Sequence, residues 1–193
     1  RPKFNIKDYK FRTAKVTPHA ASFAKDISKV HIKDQGNVGS CVPSSLTYTP
    51  EKYTLKQNGI DEEFSIGLLY GYRPEGYNQT SGMYMRDALK TLQTIGNVPK
   101  SQFDYNEEVP YIIDRVNGQI DTLKPIAYPN RISTYFALED DDAIKTYLET
   151  MDDFAHITID WYDDCEYNGA VCSDGTVHTI IGKGTVVSGA HAL

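Results

Sequence analysis

Apolar residues recur at helical spacing through the earlier part of this chain and alternate with polar ones in the later part. The strongest helical pattern covers residues 84–95. There Met85, Ala88, Leu89, Leu92 and Ile95 share one face, and Gly96 and Pro99 follow as stops. A shorter helix is expected over 64–73, with Phe64, Leu68 and Tyr72 on one side, Ser65 at its start and Pro74 beyond its end. Residues 41–57 carry a third helical pattern (Val42, Leu46, Tyr53, Leu55), closed by Gly59 as a C-cap. Pro43 falls in its first turn, where a missing N–H costs little; Pro50 falls in its middle and is expected to kink it. Residues 106–127 read as a weakly patterned connector with one short helix at 109–116. Residues 138–150 read as a helix whose N-terminal acids, Glu139 to Asp142, suit the positive end of the dipole. Strands are expected at 132–136, 155–161, 176–181 and 185–193, with Gly182-Lys183-Gly184 as a turn between the last two. Helices first and strands last give an α+β order.

One polar stretch stands out between the arm of residues 1–30, which has no helical period, and the first helix. It runs Ile32-Lys33-Asp34-Gln35-Gly36-Asn37-Val38-Gly39-Ser40-Cys41. Its glycines allow a sharp turn and a close backbone approach. Ser40 can serve as N-cap, which puts Cys41 at the start of the helix. There the helix dipole favours thiolate, the nucleophilic form. The Gln35 amide lies six residues upstream, placed to donate to an oxyanion forming beside the sulfur. The plainer reading is a buried structural cysteine after a glycine-rich turn; the whole hexad favours the catalytic one.

Asp34-Gln35-Gly36 followed by Gly39-Ser40-Cys41 resembles the active-site segment of papain-like cysteine proteases, in the looser form of a bacterial or phage branch. Val38 stands where that family usually has a second cysteine, and Val42 where it usually has an aromatic residue. The resemblance implies Cys41 as nucleophile and Gln35 as oxyanion donor. Ser188-Gly189-Ala190-His191-Ala192-Leu193 resembles the family's histidine segment, 150 residues after Cys41, within its spacing of about 130–150. His191 is therefore preferred as base over His178, which reads as a strand residue. Ser81-Gly82 and the residues after it resemble the substrate-pairing segment. Gly82 and Met83 would line the non-primed side of the cleft, and Tyr84 and Met85 the main specificity pocket. Met83 occupies the place of a second glycine, and packing is the plainer reading of Met83 and Met85.

The implied fold is a single two-lobed papain-like domain over 1–193: an arm (1–30), a helical lobe (31–120) and a β-rich, barrel-like lobe (121–193), with the cleft between. The family keeps its central helix continuous, so Pro50 is a departure. It also places an asparagine after the histidine to orient it. Here the sequence ends two residues past His191, and Asn168 lies on the wrong side. A further segment or a second chain is expected to complete the β-rich lobe.

Composition narrows the partners. The 193 residues suit one domain or two packed lobes. No apolar run nears the roughly 20 residues that span a bilayer, and Arg1-Pro2-Lys3-Phe4 does not read as a signal peptide. A formal charge of −6 with no basic aromatic patch argues against nucleic acid. Of three cysteines, Cys165 and Cys172 are seven apart and suit a disulfide-closed hairpin, which leaves Cys41 unpaired. Such a bridge implies an oxidising compartment, extracellular or on a phage or cell surface. A zinc site of Cys165, Cys172 and His178 lacks a fourth ligand. Asp160, Asp163, Asp164 and Glu166 fit no calcium-loop template. Asn78-Gln79-Thr80 is a glycosylation sequon of a kind common by chance.

The sequence is thus read as a cysteine endopeptidase acting on polypeptides, with no metal or organic cofactor. The alternatives are an inactive papain-like module serving as a binding or structural part of a larger assembly, or a related Cys/His acyl transfer on a cell-wall peptide.

Overall fold

Local capping signals fix several helix ends in the computed structural model, which describes residues 10, 31–73, 82–104, 112–151, 153–162 and 186–192, with backbone alone for 159–162 and 186–192. The contacts divide the chain into two units, residues 2–155 and residues 156–193 with Arg1.

In the first unit, α1 (Cys41–Leu46) and α2 (Tyr48–Asn58) occupy the stretch read as one helix. Pro50 accounts for the division. It has no N–H to offer the Leu46 carbonyl four residues back, and its ring crowds that carbonyl. The backbone stays helical at Thr47 (φ −63°, ψ −24°), and the ladder loses one bond there while Thr47 N still donates to Pro43 O at 3.1 Å and Glu51 N to Thr47 O at 3.3 Å. Side chains add bonds on the N-terminal side of the joint: Thr47 Oγ1 donates to Ser44 O at 2.8 Å and Ser44 Oγ to Ser40 O at 2.8 Å. Gly59 closes α2 in the left-handed conformation (φ 67°), its N–H on Leu55 O at 2.9 Å. Ser65 caps α3 (Ile66–Gly71) through its hydroxyl, which accepts from Leu68 N at 3.0 Å. The best sequence pattern becomes α4 (Met85–Thr94), which buries Ala88, Thr91 and Leu92. Asp140 caps α6 (Asp141–Thr150), accepting from Ala143 N at 2.7 Å, with Asp141 and Asp142 in the first turn.

Two expectations are corrected. The weak connector is the longest helix among the described residues, α5 (Ile112–Ala127). Its buried Ile112, Val116, Leu123 and Ala127 join Leu68, Tyr70, Ile95, Val98 and Phe103 in the core. Residues 132–136 form no strand. They run as coil along the end of α4, with Ile132 N on Leu92 O at 3.3 Å and Gln93 Nε2 on Ser133 O at 3.1 Å, and Ala137 makes an isolated parallel bridge with Lys10. Among the described residues the strands therefore all come after α6.

Close packing and a polar knot hold this unit together. A Cβ at Gly71 would sit 2.3 Å from Val116 Cγ2, so α3 and α5 meet where only glycine fits. Ser65 N bonds Val98 O at 2.9 Å and Lys100 N bonds Glu63 O at 2.8 Å, either side of a Phe64–Pro99 bridge. Buried Asn97 donates to Ser65 O at 3.0 Å, and Asn130 donates to Asn97 O at 3.0 Å.

The second unit contains an antiparallel pair among its described residues, β1 (Thr158–Tyr162) and β2 (Val186–Ala192). Thr158 faces Ala192 and Ile159 faces His191; the register then slips twice before Tyr162 faces Val186. The expected 176–181 strand, the Cys165–Cys172 hairpin, His178, Asn168, Asp163, Asp164, Glu166 and the Asn78 sequon lie outside the described residues.

Candidate active site

The loop before α1 is shaped by its own polar groups. Asp34 Oδ1 accepts from Gly36 N at 2.9 Å, and Gly36 takes φ 55°, a conformation that favours glycine. Gln35 Nε2 donates to Val38 O at 3.0 Å, and Ser40 N donates to the same carbonyl at 2.7 Å. Val38 packs its side chain against the apolar core. The loop is thus curled round one carbonyl and pinned inward by one apolar side chain.

Cys41 is the first residue of α1, half-buried and free of disulfide. Ser40 holds the N-cap position, but its side chain makes no capping bond; its carbonyl accepts from Ser44 N at 2.9 Å instead. Its backbone there (φ −99°, ψ 19°) lies outside the extended range usual for a capping residue. The Cys41 N–H is among the first helical amides, which have no partner within the helix.

The structure brings Gln35 and Cys41 onto one loop–helix junction, and Gly82 lies beside it. A Cβ at Gly82 would stand 4.0 Å from Gly39 O, so the glycine is exposed and open next to the loop. Met83 is buried at 7% exposure, while Tyr84 stands out at 62% as N-cap of α4. Met85, half-buried, opens that helix. His191 belongs to β2 in the second unit; its imidazole lies outside the described residues.

Two groups near the junction were not read from the sequence. Tyr70 is fully buried in α3, with the Arg73 guanidinium 3.9 Å from its ring centre. Burial pushes its hydroxyl pKa up, Arg73 opposes this, and negative charge on Cys41 adds to the rise. Lys33 and Glu51, each with a side chain 7% exposed, pair at 2.5 Å. Glu51 Oε1 also accepts from Phe64 N at 2.8 Å, while its buried Oε2 has no hydrogen-bond partner among the described residues. Burial raises the Glu51 carboxyl pKa, with Lys33 and the Phe64 N–H pulling it down. The pair continues outward: Lys33 Nζ lies 3.7 Å from Glu63, which bonds Lys100 at 2.7 Å, and His31 bonds Asp61 at 2.8 Å. The sequence did carry one signal, a lone acid at position 51, four residues after Thr47 on the buried side of the helix.

Among the described residues no group of three or more His, Cys, Asp or Glu could hold a metal, and no helix is long and apolar enough to cross a membrane.

No family model matches the sequence, and no curated protein does. Solved structures do match. Xylellain, a cysteine protease from Xylella fastidiosa, is similar with a TM-score of 0.70 and 19% identity, over 98% of this chain and 75% of that one. Digestive procathepsin L 3 of the Tenebrio molitor larval midgut is similar with a TM-score of 0.54 and 21% identity, over 69% of this chain and 42% of that one. The fold is therefore that of the papain-like cysteine proteases, and the chain spans less than half the length of the procathepsin.

Proposed function

We propose that this chain is a papain-like cysteine endopeptidase of bacterial or phage type. In this reading the fold is two-lobed, and the strands after α6 belong to a β-rich second lobe. His191 takes the Cys41 proton, leaving a thiolate–imidazolium pair. The thiolate attacks a peptide carbonyl carbon, and the carbonyl electron pair moves onto oxygen. The Cys41 N–H and the second N–H of the Gln35 amide donate to that oxyanion. His191 returns the proton to the departing amine, which leaves a thioester. Water, deprotonated by His191, then releases the acid and the thiol. Gly82 and Met83 pair with the substrate backbone, and Tyr84 and Met85 border the pocket for its side chain.

The observation that carries this reading is the Gln35–Val38 bond. It fixes the side-chain amide in the same tight loop that presents half-buried Cys41 at a helix start. The fold shared with cysteine proteases supports it. The test is brief treatment with a thiol-directed epoxide at mildly acidic pH, read by intact mass and peptide mapping. Fast single labelling at Cys41, lost in His191→Ala, is expected. Slow labelling, or equal labelling at Cys165 and Cys172, overturns the reading.

The interrupted ladder at Pro50 favours a second reading, an inactive module that binds peptides in the same cleft. It predicts peptide binding with neither turnover nor selective labelling of Cys41.

A further inference from the structure

We propose that Lys33 and Glu51 are positioning residues, a staple that holds Gln35 and Cys41 in register across the joint Pro50 leaves in the helix.

Residue 33 stands two before Gln35, and residue 51 stands one after Pro50. The ion pair between them, at 2.5 Å, closes a ring of chain that contains Gln35, Cys41 and the Thr47 joint. Lys33 is the inward point of its segment: Ile32 and Asp34 on either side are exposed. The Lys33 ammonium also sits 5.6 Å from the centre of the Tyr48 ring, at the first residue of α2. Glu51 is fixed in turn by Phe64 N at 2.8 Å, at the entry to α3. The staple thus refers the loop, both helix segments and the next element to a single carboxylate oxygen.

A continuous helix would not need this. Its own ladder would set Cys41 relative to the turns that follow. Here that ladder lacks the bond from position 50, and the long 3.3 Å bond from Glu51 N to Thr47 O beside it leaves the joint at Thr47 the weakest point of the stretch. A buried ion pair is a poor source of net stability, because desolvation offsets its Coulombic gain. What it supplies is one allowed geometry. The other Glu51 oxygen, buried without a partner among the described residues, has the same meaning: the carboxylate is held by Lys33 and Phe64 rather than turned to satisfy both oxygens.

The catalytic consequence rests on the peptidase reading; the mechanical one does not. The experiment separates them. Lys33→Met, Pro50→Ala and the double variant are compared with the native chain by hydrogen exchange of peptides covering 34–47, and by kcat and KM on a fluorogenic peptide. Glu51→Gln, which is isosteric, serves as the second variant should Lys33→Met not fold. Lys33→Met is expected to speed exchange over 34–47 and to lower kcat roughly 10- to 100-fold with KM within about twofold. Pro50→Ala restores the missing donor, so in that background the loss should shrink by about threefold or more. Unchanged exchange in both Lys33→Met and Glu51→Gln overturns the staple. Faster exchange with unchanged kcat in an active enzyme overturns its positioning role, as does an equal loss in both backgrounds. Faster exchange in the variants, where the native chain shows no turnover, supports the staple and counts against the peptidase reading alone.

Discussion

Pro50 and Pro125 stand past the first turn of helical stretches, and they act differently. Pro50 splits its stretch into α1 and α2, whereas Pro125 leaves α5 whole to Ala127, where it passes into a 3-10 turn over Tyr128–Asn130. Position explains part of this, since Pro125 falls in the last turn, where few further bonds depend on it. Packing explains the rest. The residues flanking Pro125, Leu123 and Ala127, enter one apolar core. The helix segments flanking Pro50 are buried by different kinds of residue. The first, α1, buries Val42 and Leu46, whereas α2 buries Pro50 and Glu51 and leaves Tyr53 exposed. Where apolar contact spans a weak point, the helix survives it. Where it does not, a polar contact takes over the geometry.

This contrast assigns chemistry to the first region and stability to the second, and substitutions can break it. The largest effect is expected from Cys41→Ala, which should lower peptide turnover by about 10⁴-fold or more while thermal melting barely moves. Gln35→Ala should lower kcat by about 10²-fold, read in the same assay. Gly71→Ala is the mirror image. Its Cβ would lie 2.3 Å from Val116 Cγ2 and 2.8 Å from Ile112 O, against the face of α5. Overpacking there should cost about 3 kcal/mol, a fall in Tm of roughly 10 °C, with kcat of the folded fraction little changed. Pro50→Ala should raise Tm by a few degrees, about 1 kcal/mol once the lost packing is set against the regained helix propensity; Pro125→Ala should do less. Equal shifts for the two prolines would refute the contrast.

The smallest effect is a pair of opposing pH slopes. Burial holds the Glu51 carboxyl above its ordinary 4.5. The folded chain then binds that proton more readily than the unfolded one, so stability falls as pH rises from 4.5 through the raised value. Glu63 is held below 4.5, chiefly by the Lys100 hydrogen bond. Its contribution is fully present above 4.5 and is lost as pH falls through the depressed value. Melting curves from pH 3 to 8 should show the upper slope flatten in Glu51→Gln and the lower one in Lys100→Met.

What the sequence made legible is local. α4 was readable because its apolar face needs only its own residues, and Gly59, Ser65 and Asp140 were readable because caps act within a few positions. The junction of Gln35 and Cys41 was readable for the same reason: both sit in one short segment. α5 was not. Asn117, Gly118 and Pro125 weaken its propensity, and the burial of Ile112, Val116, Leu123 and Ala127 is a tertiary decision. Residues 132–136 have strand-like composition, yet among the described residues no strand pairs with them to receive the pattern. The Lys33–Glu51 pair joins positions 18 apart, a contact that no local period announces.

The knot at Ser65, Asn97 and Val98 has a consequence for how this molecule can change. Hydrogen bonds close the neck where the chain leaves at Ser65 and returns at Val98. Everything between, including α3, Gly82 and α4, is an excursion that starts and ends at one place. Its two helices are not free, since α3 and α4 pack against α1 and Gly71 abuts Val116 of α5, so only changes of length between them leave the rest in place. Beside the proposed substrate pocket, then, length can change at the connection from α3 to α4 while Gln35 and Cys41 keep their geometry, provided both helices keep their seats on α1.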